Sequence, residues 1–203
     1  LKTIADADGI LARTDSKKDI LILGGGLIGL QSANALAGAN HKVSIVIGSS
    51  QVMSQNIDHQ CSIILSNALQ DRKFKVLYQT SVVEIESVAN KLNVTLNDGN
   101  VLTVDVVIAG KGVIPNTQMT EGSGIKTNWG ILVNRSMQTN IPNIYAAGDV
   151  AEGEELVSGK LAVVATWPNA CLQGKTAGLN MGGKDIHFSS LNGNVTGIFG
   201  KTI

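Results

Sequence analysis

The chain has 203 residues, 43% of them hydrophobic and 16% charged, and its 16 Lys and Arg balance its 16 Asp and Glu to a formal charge of zero. That composition can bury a core in one large or two small domains and is not that of a disordered chain. A balanced charge without a basic block argues against nucleic-acid or anionic-membrane binding, and the longest apolar stretch, around residues 20–30, is too short and too broken by glycines to span a bilayer. Leu1 opens no charged-then-apolar leader, and the missing initiator Met leads us to expect a fragment or a processed chain. Cys61 and Cys171 lie far apart and form no C-x-x-C, so neither a local redox pair nor a zinc knuckle is expected; two lone cysteines suit a reducing, cytoplasmic setting. His41, His59 and His187 stand in polar surroundings and are expected to be solvated rather than catalytic.

Residues 1–18 are polar, with a short helix expected over 5–12 and a charged linker over 13–18. The apolar run Ile20, Leu21, Ile22, Leu23 then enters three glycines and a small-residue helical segment. Gly24, Gly26 and Gly29 have the spacing G-x-G-x-x-G after a strand and before a helix. In a dinucleotide-binding unit the first glycine makes the tight turn, the second admits a pyrophosphate to the backbone, and the third packs helix on strand. Leu27 and Ile28 open the helix, whose N-terminal N–H groups favour phosphate. The structural alternative is a turn that only glycine fits. Ala33, Ala35 and Ala37 allow close packing on a sheet, and Gly38 ends the helix.

A second strand spans 42–47. An acidic residue expected at its end would hold the ribose 2′-OH of NAD, and an Arg nearby would suit the 2′-phosphate of NADP. The chain has Ile47, Gly48, Ser49 and Ser50 instead, so both marks are missing and only the serine hydroxyls remain for a ribose. Ser54 is expected to cap a helix whose apolar face carries Ile57, Cys61, Ile64, Leu65 and Ala68, which makes Cys61 a core thiol. A third strand follows at 74–78. The period then becomes two: Val83 and Ile85, and Leu92, Val94 and Leu96, alternate with polar residues, and a turn at 97–100 leads into a strand at 101–104. This reads as an antiparallel meander. The apolar strand 106–109 is expected to be buried on both faces, ending in Gly110-Lys111-Gly112 on the same carboxyl edge as the first glycine loop.

Beyond Pro115 the expected elements are a loop at 120–130, short strands at 131–133 and 143–147, a polar acidic loop at 152–160, and a helix over 162–181 with Pro168 in an early turn and Gly182-Gly183 as its stop. Gly148-Asp149 puts an acid at a strand end. The tail from 187 is rich in glycine and asparagine, with room for one strand.

The succession G-G-G-L-I-G, I-A-G-K-G-V-I-P-N, G-I-L-V-N, T-N-I-P-N-I-Y-A-A-G-D-V and W-P-N-A-C-L-Q-G resembles the FAD-dependent pyridine-nucleotide disulfide oxidoreductases, nearest to NADH-dependent reductases of rubredoxin, ferredoxin and nitrite reductase type. The resemblance covers nearly the whole chain. It implies an α/β fold: a Rossmann-like parallel sheet with an antiparallel β-meander insertion, plus the C-terminal half of a second Rossmann-like FAD domain. The implied division is 1–17 as a linker from the FAD domain, 18–112 as the NAD(P)H-binding domain, 113–187 as a partial FAD-binding domain and 188–203 as the start of a C-terminal domain. The implied cofactors are NAD(P)H and FAD, with hydride passing between them and onward to an acceptor such as a redox protein.

On this resemblance Gly24, Gly26, Leu27, Ile28 and Gly29 match the NAD(P)H pyrophosphate turn, Ile47 the ribose position, and Gly110 and Gly112 the loop near the nicotinamide. Gly148 and Asp149 match the motif that holds the FAD ribityl chain, and Trp167 a position near the flavin. The alternatives are a loop or capping carboxylate for Asp149 and plain core packing for Trp167. Three departures stand out: no N-terminal FAD glycine fingerprint, Gln31 where an acid is usual, and Ile47 where the ribose acid is usual. The first of these implies weak or absent FAD binding and an inactive fragment. The segment after Pro115 is then expected to be poorly ordered, packed on its own short partners, or covered by a second copy through an exposed sheet edge. A stand-alone nucleotide-binding module without flavin is the alternative function. A simple nicotinamide dehydrogenase ranks last, because neither Tyr78 nor Tyr145 has a Lys at helical spacing.

Overall fold

A computed structural model describes residues 1–191 and 195–202. Its contacts divide the chain into two compact units: Leu1–Gly112 together with the tail from Thr196, and Val113–Val195. Among the described residues no helix is long and apolar enough to cross a membrane.

The first unit runs α1 (Ile4–Arg13), β1 (Asp19–Leu23), α2 (Leu27–Leu36), β2 (Lys42–Val46), α3 (His59–Asp71), β3 (Lys75–Leu77), β4 (Val82–Val88), β5 (Lys91–Leu96), β6 (Val101–Val104) and β7 (Val106–Ala109). Four of these strands form a parallel sheet in the order β3-β2-β1-β7, and β4-β5-β6 form the antiparallel meander. The continuous apolar run of β1 follows from burial on both faces. Ile20 and Ile22 enter a core with Leu30 and Ala33 of α2 and Leu65 and Leu69 of α3. Leu21 and Leu23 point the other way, onto Val94, Leu96 and Val104 of the meander.

Local physics moves several expected features. A reciprocal Thr3–Asp6 capping box starts α1 one residue earlier than expected. The Asp58 carboxylate, not Ser54, caps α3 by accepting from the Cys61 N–H at 2.8 Å. The later start turns Ser62, Leu65, Ala68 and Leu69 inward and leaves Ile64 and Cys61 exposed, so Cys61 is not a core thiol. The Asp58 carboxylate beside that thiol raises its pKa. β4 is the outer strand of the meander, and Val83 and Ile85 remain exposed there instead of half-buried. Being the edge of the parallel sheet, β7 buries Val106 and Ile108 while Ala109 is exposed. His41 is partly buried rather than solvated: its Nδ1 accepts from the Lys18 N–H at 3.3 Å, and its Nε2 is buried without a partner among the described residues.

One carboxylate ties the start of β1 to the meander. Asp105 accepts from the Asp19 N–H at 2.8 Å and pairs with Lys91 at 3.2 Å. The Asp19 N–H first, and Lys91 after it, hold its pKa below the ordinary carboxylate value. Because the folded value lies below the unfolded one, the stabilisation is present above about pH 4 and is lost as pH falls through the folded value. Asp105→Asn is therefore expected to lower the melting temperature more at pH 7 than at pH 3, which parallel thermal melts will read.

In the second unit β8 (Ile131–Leu132) pairs in parallel with β9 (Ala151–Glu154), which pairs antiparallel with β10 (Leu161–Ala162). The unit packs on its own short partners: Val133, Met137 and Ala151 meet Ala177 of α4 (Trp167–Met181). Residues 143–147 form no strand. Asn143 (φ 67°) and Gly148 (φ 82°) bracket them, and only Tyr145 makes a bridge, to Gln138. The expected acidic loop instead opens with β9, where Glu152 is buried and accepts from the Gly130 N–H and Asn128 Nδ2, each at 2.8 Å. Thr166 is the N-cap of α4, so the helix starts five residues later than expected, with Pro168 in its first turn.

The tail returns to the first unit as a hairpin, β11 (Gly197–Ile198) and β12 (Lys201–Thr202), rather than a single strand. Ile198 and Phe199 are buried in that unit's core, where the Phe199 ring lies 5.7 Å from Phe74 and 4.9 Å from the Arg72 guanidinium. Residues 192–194 and 203 of the expected C-terminal segment lie outside the described residues.

Candidate functional site

The two glycine loops of the first unit leave the carboxyl ends of neighbouring strands, β1 and β7. The chain passes from β1 to β2 on one side and returns to β7 on the other, which makes this edge the crevice where open α/β sheets take ligands. Gly24 turns with φ 111°, and a Cβ there would lie 2.5 Å from the Gly110 carbonyl oxygen. A Cβ on Gly29 would run into the Gly24 carbonyl oxygen, and one on Gly110 would lie 2.9 Å from the Gly29 nitrogen. The three glycines thus pack backbone on backbone, closing α2 onto the sheet.

Gly26 differs. It is the N-cap of α2 with φ −84°, and a Cβ there would meet nothing within 4 Å. No hydrogen bond among the described residues engages the N–H groups of Gly26, Leu27 and Ile28. The open space and the uncommitted donors coincide at the positive end of a helix, an arrangement that could hold a phosphate. Gly112 (φ 87°) also faces open space, at the rim of the second loop.

Ile47 is occupied otherwise. It is 3% exposed, its N–H donates to the Leu77 carbonyl and its carbonyl accepts from Thr80. A Cβ on Gly25 would lie 2.5 Å from Ile47 Cδ1, so this side chain props the glycine turn from beneath. Gly25, whose carbonyl also accepts from the Met53 N–H at 2.8 Å, is a turn residue that the G-x-G-x-x-G reading passes over. Beyond Ile47 the loop is neutral and self-bonded: Ser49 Oγ donates to the Gln51 carbonyl at 2.7 Å, and Gln51 Oε1 meets His59 Nδ1 at 3.2 Å.

In the second unit the Gly148 N–H donates to Gln173 Oε1 of α4 at 2.8 Å, and a Cβ on Gly148 would touch Ala170 at 3.6 Å. The Gly148 turn therefore sits on the first turns of α4. Asp149 follows it, exposed and without a hydrogen bond or ion pair among the described residues. Trp167, first residue of α4, is 83% exposed, which rules out core packing. Thr166 gives that helix end no side-chain cap. A free carboxylate, an open helix start and an exposed indole suit one side of a bound flavin. The second unit has no glycine-fingerprint turn for an ADP moiety among its described residues.

Comparison with known proteins bears on these two sites. The family model described as pyridine nucleotide-disulphide oxidoreductase matches residues 1–174. The epsilon subunit of an NADH-dependent phenylglyoxylate dehydrogenase from Aromatoleum evansii is 32% identical over 183 residues, 90% of this chain and 43% of that protein. An NADH oxidase from Methanocaldococcus jannaschii is 32% identical over 191 residues, 93% of this chain and 42% of its own length. Among solved structures, a NAD-dependent persulfide reductase from A. fulgidus superposes with a TM-score of 0.89 at 27% identity, covering 98% of this chain and 37% of the other. A ferredoxin reductase from Rhodopseudomonas palustris gives 0.85 at 27% identity, covering 92% and 46%. The chain spans less than half the length of each of these proteins.

Proposed function

Because the chain belongs to the pyridine nucleotide-disulphide oxidoreductase family, we propose that its first unit holds the pyrophosphate of a nicotinamide dinucleotide and its second unit contributes one side of an FAD site. The observation that carries this reading is the cradle at Gly26, left open while Gly24, Gly29 and Gly110 are packed shut. Bound together, NAD(P)H and FAD would supply hydride donor and two-electron acceptor. The chain's own part is placement. The N–H groups of Gly26, Leu27 and Ile28 would bind phosphate oxygens, and Gly110 and Gly112 would flank the nicotinamide end. Asp149, beside Gly148, would accept from ribityl hydroxyls, and Trp167 would cover the flavin ring and exclude water. In the working enzyme the acceptor would be a redox protein or a small oxidant in the cytoplasm, and a second copy of the chain could cover the sheet edges of the second unit.

The neutral loop after β2 supports little discrimination between the two dinucleotides. Residues 47–50 offer no carboxylate to hold the ribose 2′-OH or repel a 2′-phosphate, and no guanidinium to bind one. Titrating the 203-residue polypeptide with NADH, NADPH and FAD is expected to give NADH and NADPH dissociation constants within about tenfold of each other. FAD is expected to bind far more weakly than in a complete flavoprotein. A preference of about a hundredfold for either nicotinamide would refute the neutral subsite. Failure of both nicotinamides to bind would refute the cradle. The two separate cores of the first unit favour one further reading, a nucleotide-binding module that works without flavin. Dinucleotide binding with no flavin absorbance band supports it, and a yellow protein that turns over NADH with a dye rejects it.

A further inference from the structure

We infer that Gln31 is a positioning residue for the dinucleotide turn: its carboxamide clamps α2 to the C-terminal hairpin, and the clamp requires an amide rather than a carboxylate. The inference rests on the dinucleotide reading above. Gln31 Nε2 donates to Thr196 Oγ1 at 2.8 Å and to the Gly197 carbonyl at 3.1 Å. The carbonyl can only accept, so the group facing it must donate. A carboxylate has no proton to give, and its oxygen would face the Gly197 oxygen in repulsion. The tail thus requires a donor at position 31.

The clamp adds a polar tie to the packing that closes α2 onto the sheet through Gly29 and the buried Leu30, Ala33 and Leu36. The N-cap of α2, Gly26, has no side chain to anchor it, and the Ser32 hydroxyl is spent on the Ile28 carbonyl of its own helix. Among the described residues, every side-chain hydrogen bond that leaves α2 runs to residues 196–199: the two from Gln31, and one that Asn34 Oδ1 accepts from the Phe199 N–H at 3.1 Å. The hairpin is a firm anchor, since Ile198 and Phe199 are buried and the Phe199 carbonyl accepts from Arg72 at 3.1 Å. Gln31 lies five residues beyond the N-cap, about one and a half turns along the helix. With the first turn of α2 held at Gly29, loosening the clamp at Gln31 changes the tilt of the helix about that point and so the aim of the N–H groups of residues 26–28.

The test uses the 203-residue chain and NAD⁺ as the probe, with Gln31→Glu, Gln31→Met and Thr196→Val. Affinity is read by calorimetry, and hairpin opening by amide hydrogen exchange across residues 196–202. Loss of hydrogen bonds of this kind should weaken NAD⁺ binding about fivefold to tenfold in Gln31→Glu, somewhat less in Gln31→Met and least in Thr196→Val, with hairpin exchange accelerated in the same order. Coupling between two sites is reciprocal, so saturating NAD⁺ should slow hairpin exchange in the parent protein and fail to do so in Gln31→Glu. A merely structural contact would not respond to the ligand. Unchanged affinity in Gln31→Glu, or hairpin exchange in the parent that ignores NAD⁺, overturns the inference while leaving dinucleotide binding intact. A parent protein that binds no NAD⁺ overturns the dinucleotide reading itself, and the inference with it. If Gln31→Glu does not fold, Gln31→Met and Thr196→Val decide by the same readouts.

Discussion

Gly26→Ala is expected to abolish measurable dinucleotide binding in a protein that still folds, whereas Gly29→Ala, three residues on, is expected to damage the fold itself. The difference is steric. At Gly26 the backbone angle of φ −84° suits any residue and the new methyl meets nothing within 4 Å. It would stand in the cradle and hold a pyrophosphate off the uncommitted N–H groups. The stability cost is that of a poorer helix cap, about 1 kcal/mol or less. At Gly29 the methyl would run into the Gly24 carbonyl oxygen and lie 3.0 Å from its carbon, atoms that belong to the turn and cannot swing aside. Helix and strand must separate, an overpacking cost of about 3 kcal/mol. In a chain of this size that lowers the melting temperature by roughly 6–12 °C. Thermal melts with NADH titrations separate the two variants. Equal loss of stability in both, or retained affinity in Gly26→Ala, would show that the open space at Gly26 is not where the ligand sits.

The second large effect is expected in the other unit. Glu152→Leu should destabilise it by about 1–3 kcal/mol, because the buried Gly130 N–H loses its acceptor while the amide of exposed Asn128 turns to water. Glu152 is 3% exposed, and its carboxylate takes the Gly130 N–H through one oxygen and Asn128 Nδ2 through the other. Leucine fills much of the volume but accepts nothing. Glu152→Gln should cost less, since one carbonyl oxygen survives while the new amide group points its protons at a donor. Equilibrium unfolding followed by exchange at residues 127–133 reads both, and a Glu152→Leu protein as stable as the parent would show that the pair of bonds contributes nothing.

The packing of the glycine turn was legible in the sequence because its cause is local. Gly24 and Gly29 belong to one strand–turn–helix unit, and their spacing encodes the approach of one backbone to another. The period-two pattern announced the meander for the same reason, whereas the apolar run of β7 promised burial on two faces and, lying at the sheet edge, leaves Ala109 exposed. The features that escaped depend on contacts distant in sequence. Nothing local to the E-E-L-V-S-G stretch and its preceding Glu152 says that one carboxylate will find the N–H of Gly130 across a parallel strand pair. Asp58 and Ser54 are both sound caps, and only the folded chain shows that Asp58 takes the role and that Cys61 turns outward. Residues 143–147 look like a strand in composition, yet their positive-φ flanks at Asn143 and Gly148 leave only a bridge. Gln31 was visible as a departure from a pattern, but its partner 165 residues away was not.

The return of the tail has a consequence for how the protein is made. Ile198 and Phe199 complete the core of the first unit, but they are synthesised 86 and 87 residues after that unit's last strand and glycine loop have ended at Gly112. At about 5–20 residues per second, translation leaves that core without its last side chains for between about 4 and 17 s, and longer still until they clear the ribosome. During that interval the hairpin-facing sides of α2 and α3 are open apolar surface on a nascent chain, beside a second unit that is emerging and folding. The glycine turn is therefore synthesised early, and the core beneath it is completed late.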